Sequence, residues 1–140
     1  MNDDERRRRF ADARVARLAT VTADGRPRIV PVVFALVGDA AYSAVDHKPK
    51  STRKLGRLAN VRATGVASIL VDRYDEDWTS LWWVRVDGVA RVLDADSVDG
   101  SRGIDALVGK YPQYADARPL GPVIRVDVRR WSAWDGSIPE

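Results

Sequence analysis

The stretch "RVARLATVTADGRPRIVPVVFAL", residues 14–36, carries the first reading of the fold. Residues 14–22 alternate toward β character and "ADGR" (23–26) supplies an Asp-Gly turn. "RIVPVVFAL" (28–36) follows as a second strand, so the pair reads as a hairpin. Pro31 lies inside that second strand. Proline has no N–H to give to a ladder, so it marks an edge, a bulge or a place where the sheet opens.

On the N-terminal side, residues 3–13 read as a short helix with acids Asp3, Asp4 and Glu5 ahead of the basic run Arg6–Arg9, the order a helix dipole favours. That run reads as a solvated helix face. On the other side, "VGDA" (37–40) is a turn and "AYSAV" (41–45) a third strand. "STRKLGRLANVRA" (51–63) places Leu55, Leu58 and Val61 on one helical face, with Ser51 or Thr52 as the N-cap. "GVASILVDRY" (65–74) is a buried strand and "DEDW" (75–78) a loop. "SLWWVRVDGVARVLD" (80–94) is a long strand with a bulge at Asp87-Gly88. A helix over 96–110, a loop over 111–122 and a last strand over 123–134 complete the chain. The order α, βββ, α, ββ, α, β has no βαβ regularity. It implies six antiparallel strands with flanking helices, closed into a small barrel, in one domain spanning 1–140.

Composition narrows the chemistry. Hydrophobic residues make up 45% and charged residues 31% of 140, an ordinary globular balance. Without cysteine there are no disulfides, thiolate metal sites or thiol nucleophiles. A zinc site or a Ser/His/Asp triad would rest wholly on the single histidine, His47. No stretch has the length of a signal peptide's apolar core or of a membrane span, so a cytoplasmic location is expected. Net charge is only +3, with Asp spread along the chain, and the tryptophans lie apart from the basic segment; nucleic acid is not an expected partner. The acids Asp75, Glu76 and Asp77 read as a solvated loop, and their spacing does not suit calcium.

One segment departs from the rest. The chain has nineteen arginines and four lysines, yet Lys48, Lys50 and Lys54 all fall in "DHKPKSTRKLGRL" (46–58), among Ser51, Thr52 and Arg53. Ammonium groups, a guanidinium and hydroxyls beside a helix start suit a phosphate. Nothing else offers acid–base or nucleophilic catalysis, which suits a cofactor that brings its own chemistry.

The blocks "RVARLATVTADGRPRIVPVVF", "HKPKSTRKLGRLANVRA", "ILVDRYDEDWTSLWWVRVDGVARV" and "RRWSAWDG" together resemble the pyridoxamine 5′-phosphate oxidase-like split β-barrel flavoproteins. Within them the chain is most similar to the actinobacterial branch that uses the deazaflavin coenzyme F420. The resemblance implies a six-stranded split barrel that forms a homodimer, with two cofactors in grooves at the interface. It implies cofactor phosphate at Lys48, Lys50, Ser51, Thr52, Arg53 and Lys54, and the ring system against Val30, Pro31, Val32, Val33 and Phe34. Of the five tryptophans, Trp78, Trp82 and Trp83 are the ones expected to stack on the ring or wall off a substrate pocket. Two adjacent tryptophans on a strand must point to opposite faces, so one of Trp82 and Trp83 faces away from the core. The implied activity is hydride transfer between the deazaflavin C5 and a small electrophilic molecule. The alternatives are an FMN-dependent oxidase or reductase, or a non-catalytic F420- or haem-binding module.

Overall fold

The computed structural model describes residues 1–46 and 55–137. Helix α1 (Asp3–Asp12) is capped by Asn2, whose side chain accepts the Glu5 N–H at 2.8 Å. Strands β1 (Ala16–Val21) and β2 (Pro27–Val32) form the expected antiparallel hairpin, and Gly25 takes the left-handed φ of 88° in its turn. The expected second strand is in fact two: β2 stops at Val32, and β3 (Ala35–Val37) starts after Val33 and Phe34. That break makes seven strands rather than six among the described residues. The other elements are β4 (Ala40–Ala44), α2 (Gly56–Thr64), β5 (Val66–Arg73), β6 (Trp82–Leu93), α3 (Val98–Lys110) and β7 (Val123–Asp135).

The sheet order is β2-β1-β5-β6-β7-β4-β3, antiparallel throughout. Its two end strands, β2 and β3, are joined by two residues only. Three residue steps span at most about 11 Å, so the sheet must curl until its edges approach. No ladder joins β2 to β3 among the described residues. The result is a barrel split along one seam, and Pro31 lies on an edge strand, where a missing donor is tolerated.

The seam has a specific cause. Phe34 is fully buried, its ring 4.9 Å from that of Phe10, and a buried peptide group must find partners. They come from the end of α3. The Phe34 N–H donates to the Tyr111 hydroxyl at 3.2 Å, and Lys110 Nζ donates to the Phe34 carbonyl at 2.9 Å and to the Ala13 carbonyl at 2.7 Å. The single Tyr111 proton has two acceptors within reach, the carbonyls of Arg14 at 3.0 Å and Phe34 at 3.1 Å. One helix end thus satisfies two chain junctions, α1 to β1 and β2 to β3.

Two apolar clusters result. Leu18, Ile69, Val84, Val86 and Val126 fill the barrel with Phe10 and Phe34, while Tyr42, Ile104, Leu107 and Val123 pack beneath α3. The spacing of Leu58 and Val61 buries them in the barrel cluster as expected. Helix α2, however, starts at Gly56 with Leu55 as N-cap and no side-chain cap, not at Ser51 or Thr52. The bulge falls where expected: register shifts at Asp87/Gly88, leaving Arg129 as the extra residue on β7. A Cβ on Gly88 would stand 2.2 Å from the Asp127 carbonyl oxygen, so only glycine fits.

The basic run on α1 is not simply solvated. Arg6 and Arg7 lie over the Trp131 ring at 5.4 and 5.8 Å, and Arg7 also binds Asp39 at 2.9 Å and the Gly38 carbonyl. Arg9 bridges Glu5 at 2.7 Å and Asp135 at 3.1 Å while covering Trp82. Among the described residues no helix is long and apolar enough to cross a membrane.

Burial, with the Arg14 charge nearby, lowers the Lys110 pKa from 10.5 to about 8, against a smaller opposing pull from Asp12. Below about pH 8 both folded and unfolded chains carry that proton, and the desolvation cost is fully present. Between about pH 8 and 10 the unfolded chain binds more of it, so stability should rise with pH. Burial raises the Tyr111 and Tyr114 pKa values, which turns the trend downward only above pH 10. Urea unfolding of the parent and of Lys110→Met across this range should show the rise in the parent alone.

Candidate functional site

Cross-strand register sorts the expected residues by face. Val30, Leu18, Ile69, Val86 and Trp131 form one row, and all of them belong to the barrel interior or pack against it. Val32 and Phe34 are buried in the same core, and Val33 packs against the cluster under α3. Those four side chains are committed to packing. Pro31 alone of the five faces outward, in the row Pro31, Arg17, Leu70, Arg85, Ser132. A ring resting on this strand would meet the Pro31 ring and the β2 backbone edge.

The same outer face carries an aromatic groove. Trp83 stands directly opposite Trp134 on β7 and Asp72 on β5, one rung along from Arg85, Ser132 and Leu70. Trp83, Trp134, Asp72, Arg85 and Leu70 enclose, with Leu81, Tyr74, Arg73 and Trp82, a groove of about 400 Å³, within the roughly 300–1,000 Å³ typical of small-molecule sites. Leu70, in the groove wall, lies two strands from Pro31, about 10 Å at the usual spacing. Strand β2 and the groove therefore share one surface.

The tryptophans divide as their alternation requires. Trp82 packs against the barrel core and is covered by Arg9 at 5.2 Å, so Trp83 is the outward ring. Trp131 is a core residue, edge-on to Phe10 at 5.4 Å. Trp78, in a short 3-10 turn (Trp78–Ser80), is 68% exposed and does not line the groove. Trp134, Arg85, Tyr74 and Leu70 are groove residues that sequence reasoning missed, since only the β5–β6–β7 register brings them beside Trp83. Lys48, Lys50, Ser51, Thr52, Arg53, Lys54 and His47 lie outside the described residues. Their segment joins Asp46 to Leu55. Asp46 is held by the Tyr114 hydroxyl at 2.6 Å and by the Leu120 N–H at 3.4 Å.

The acids near the groove have structural work. Asp77 accepts the Thr79 hydroxyl at 2.7 Å and its N–H at 3.1 Å, and these bonds lower its pKa. Asp135 is held low by the hydroxyl and N–H of Ser137 and by Arg9. Both stay carboxylates near neutral pH, so neither is a general acid there. Among the described residues no cluster of His, Asp or Glu could hold a metal ion.

A split barrel with a groove on its outer face has known relatives. The sequence matches the pyridoxamine 5′-phosphate oxidase family over residues 3–135. The chain belongs to that family. No curated protein matches the sequence. Several solved structures share the fold of this family member. The conserved hypothetical protein Rv2991 from Mycobacterium tuberculosis is 21% identical over 100% of this chain and 90% of its own, with a TM-score of 0.78. An FAD-binding protein from Mesorhizobium loti is 21% identical over 95% and 92%, with a TM-score of 0.74. HutZ, the haem storage protein from Vibrio cholerae, is 17% identical over 94% and 89%, with a TM-score of 0.71.

The groove rim depends on a close approach at Gly136, whose N–H donates to the Leu81 carbonyl at 2.8 Å. A Cβ there would lie 2.4 Å from the Trp78 carbonyl oxygen and 3.0 Å from the Trp134 ring. Gly136→Ala should therefore shift the 78–81 turn, change intrinsic tryptophan emission, and cost about 1–3 kcal/mol in urea unfolding.

Proposed function

We propose that this family member is an F420-dependent oxidoreductase acting on a small electrophilic molecule. The observation that carries the reading is the shared surface: Pro31 on the β2 edge and the Trp83–Trp134 groove face the same way on one sheet. A flat ring laid on that surface would find an edge strand on one side and aromatic walls on the other. When bound, the deazaflavin would supply the hydride at C5. The protein's part is to anchor, orient and keep water out. Lys48, Lys50, Ser51, Thr52, Arg53 and Lys54 would hold the phosphate and Pro31 would meet the ring, while Trp83 and Trp134 would exclude water from the acceptor. Trp82 would act through packing and Trp78 at the rim. The basic segment runs on to Arg57, longer than a single phosphate needs, which favours F420 over FMN.

Two copies should assemble, with ligand grooves between them. The outer face leaves Ile29, beside Pro31, 66% exposed, and Val66 and Val89, paired farther along the sheet, uncovered. Away from the groove it also carries both signs of charge, Arg17 and Asp87, as a self-complementary two-fold contact requires. Sedimentation should report a dimer for the parent and a folded monomer for Ile29→Asp; a monomeric parent would remove this part of the reading.

The deciding experiment is a tryptophan-fluorescence titration with F420 and, separately, FMN and haem. F420 should bind at micromolar concentrations or tighter, with FMN weaker. Lys50→Ala and Arg53→Ala should each weaken F420 by roughly 1.5–3 kcal/mol, the range for hydrogen bonds to charged groups, with unfolding unchanged. FMN preference would move the protein to the flavin branch. Haem binding that depends on His47 would make it a haem module, in keeping with the haem storage role named for HutZ.

A further inference from the structure

We propose that the Trp83–Trp134 groove binds flat apolar molecules that bear an acidic group, with Arg85 receiving the acid. Under the reading above this defines the acceptor class, but binding itself requires neither F420 nor turnover. The groove floor is built for a flat body: Trp83 and Trp134 are direct cross-strand partners, and Leu70 and Leu81 extend the apolar surface. Indole rings offer such a ligand a large face and rigid contact.

The charge sits at one end. The Arg85 guanidinium lies over Trp83, 5.7 Å from the ring centroid. Its Nε is 3.3 Å from the Asp87 carboxylate but makes no hydrogen bond, and its Nη2 reaches Ser132 Oγ only at 3.5 Å. Asp87 is engaged elsewhere, accepting the Ser68 hydroxyl at 2.5 Å. The outer edge of the Arg85 fork therefore retains donors that a carboxylate matches. Across the groove Arg73 is turned to Asp75 at 3.5 Å. The lining itself holds two guanidinium groups, Arg73 and Arg85, and the carboxylate of Asp72, while Asp75 and Asp87 stand behind the two arginines, so the positive charge turned to the groove is the outer edge of Arg85. A neutral flat molecule would use the walls alone, and a cationic one would meet Arg85 unfavourably.

Calorimetric titration of the cofactor-free protein with 2-naphthoate and with its neutral analogue 2-naphthalenemethanol tests this. Naphthoate should bind about tenfold more tightly, the low end for a hydrogen bond to a half-exposed charged group, and the preference should shrink as salt is raised. Arg85→Met should abolish the preference while keeping the neutral probe's affinity, Arg85→Lys should restore part of it, and Trp83→Leu should weaken both probes. Equal binding of the two probes, a preference that survives Arg85→Met, or binding of neither would overturn the proposal. Because no cofactor is present, a failed F420 titration would leave this result standing, and the converse also holds.

Discussion

The peptide group of Phe34 is the constraint on which the barrel turns. It lies in the apolar interior between two strands that do not pair, where an unmet N–H and C=O would each cost on the order of 1–3 kcal/mol. Tyr111 and Lys110 meet both. With those partners in place the chain can leave one end of the sheet and enter the other within two residues, and the sheet closes around the barrel cluster. Lysine suits the task because its ammonium reaches two carbonyls at once while resting 3.9 Å from the centre of the Phe34 ring.

The candidate site follows from what the seam leaves outside. Closing the barrel turns Val30, Val32 and Phe34 inward and leaves Pro31 and Ile29 on the outer face of β2. The same pleat continues through β1 and β5 to β6 and β7, so alternation carries one surface from the β2 edge to the tryptophan groove. Arg9 secures the division at Trp82. By covering that ring and binding Asp135, it holds one of the paired tryptophans against the core and leaves Trp83 to the groove. Three of the four arginines of α1, Arg6, Arg7 and Arg9, thus serve as clamps, two of them on Trp131.

Much of this was legible in local pattern. The Asp-Gly hairpin, the turn at 37–40, the apolar face of α2 and the bulge at Asp87-Gly88 each follow from short-range chemistry: turn dihedrals, helical spacing and the steric demand of a strand irregularity. The break at Val33–Phe34 was not. "RIVPVVFAL" is uniformly apolar and strand-forming, and the partners that interrupt it sit some 76 residues away, at Lys110 and Tyr111. The start of α2 was misplaced for a related reason: Ser51 and Thr52 are good caps by type, but the helix begins at Gly56 behind Leu55.

The sequence by itself determined the class of the protein, an antiparallel barrel, and the clustering of three of its four lysines in one segment. Those properties are carried by residue type and by contacts a few positions apart. Only the tertiary structure decided which side chains share a face. Trp83, Trp134, Arg85 and Leu70 come from three strands, and a one-residue change of register would turn any of them to the other side of the sheet. Their convergence is a property of long-range pairing, set by the closure at Phe34 and invisible to any local pattern.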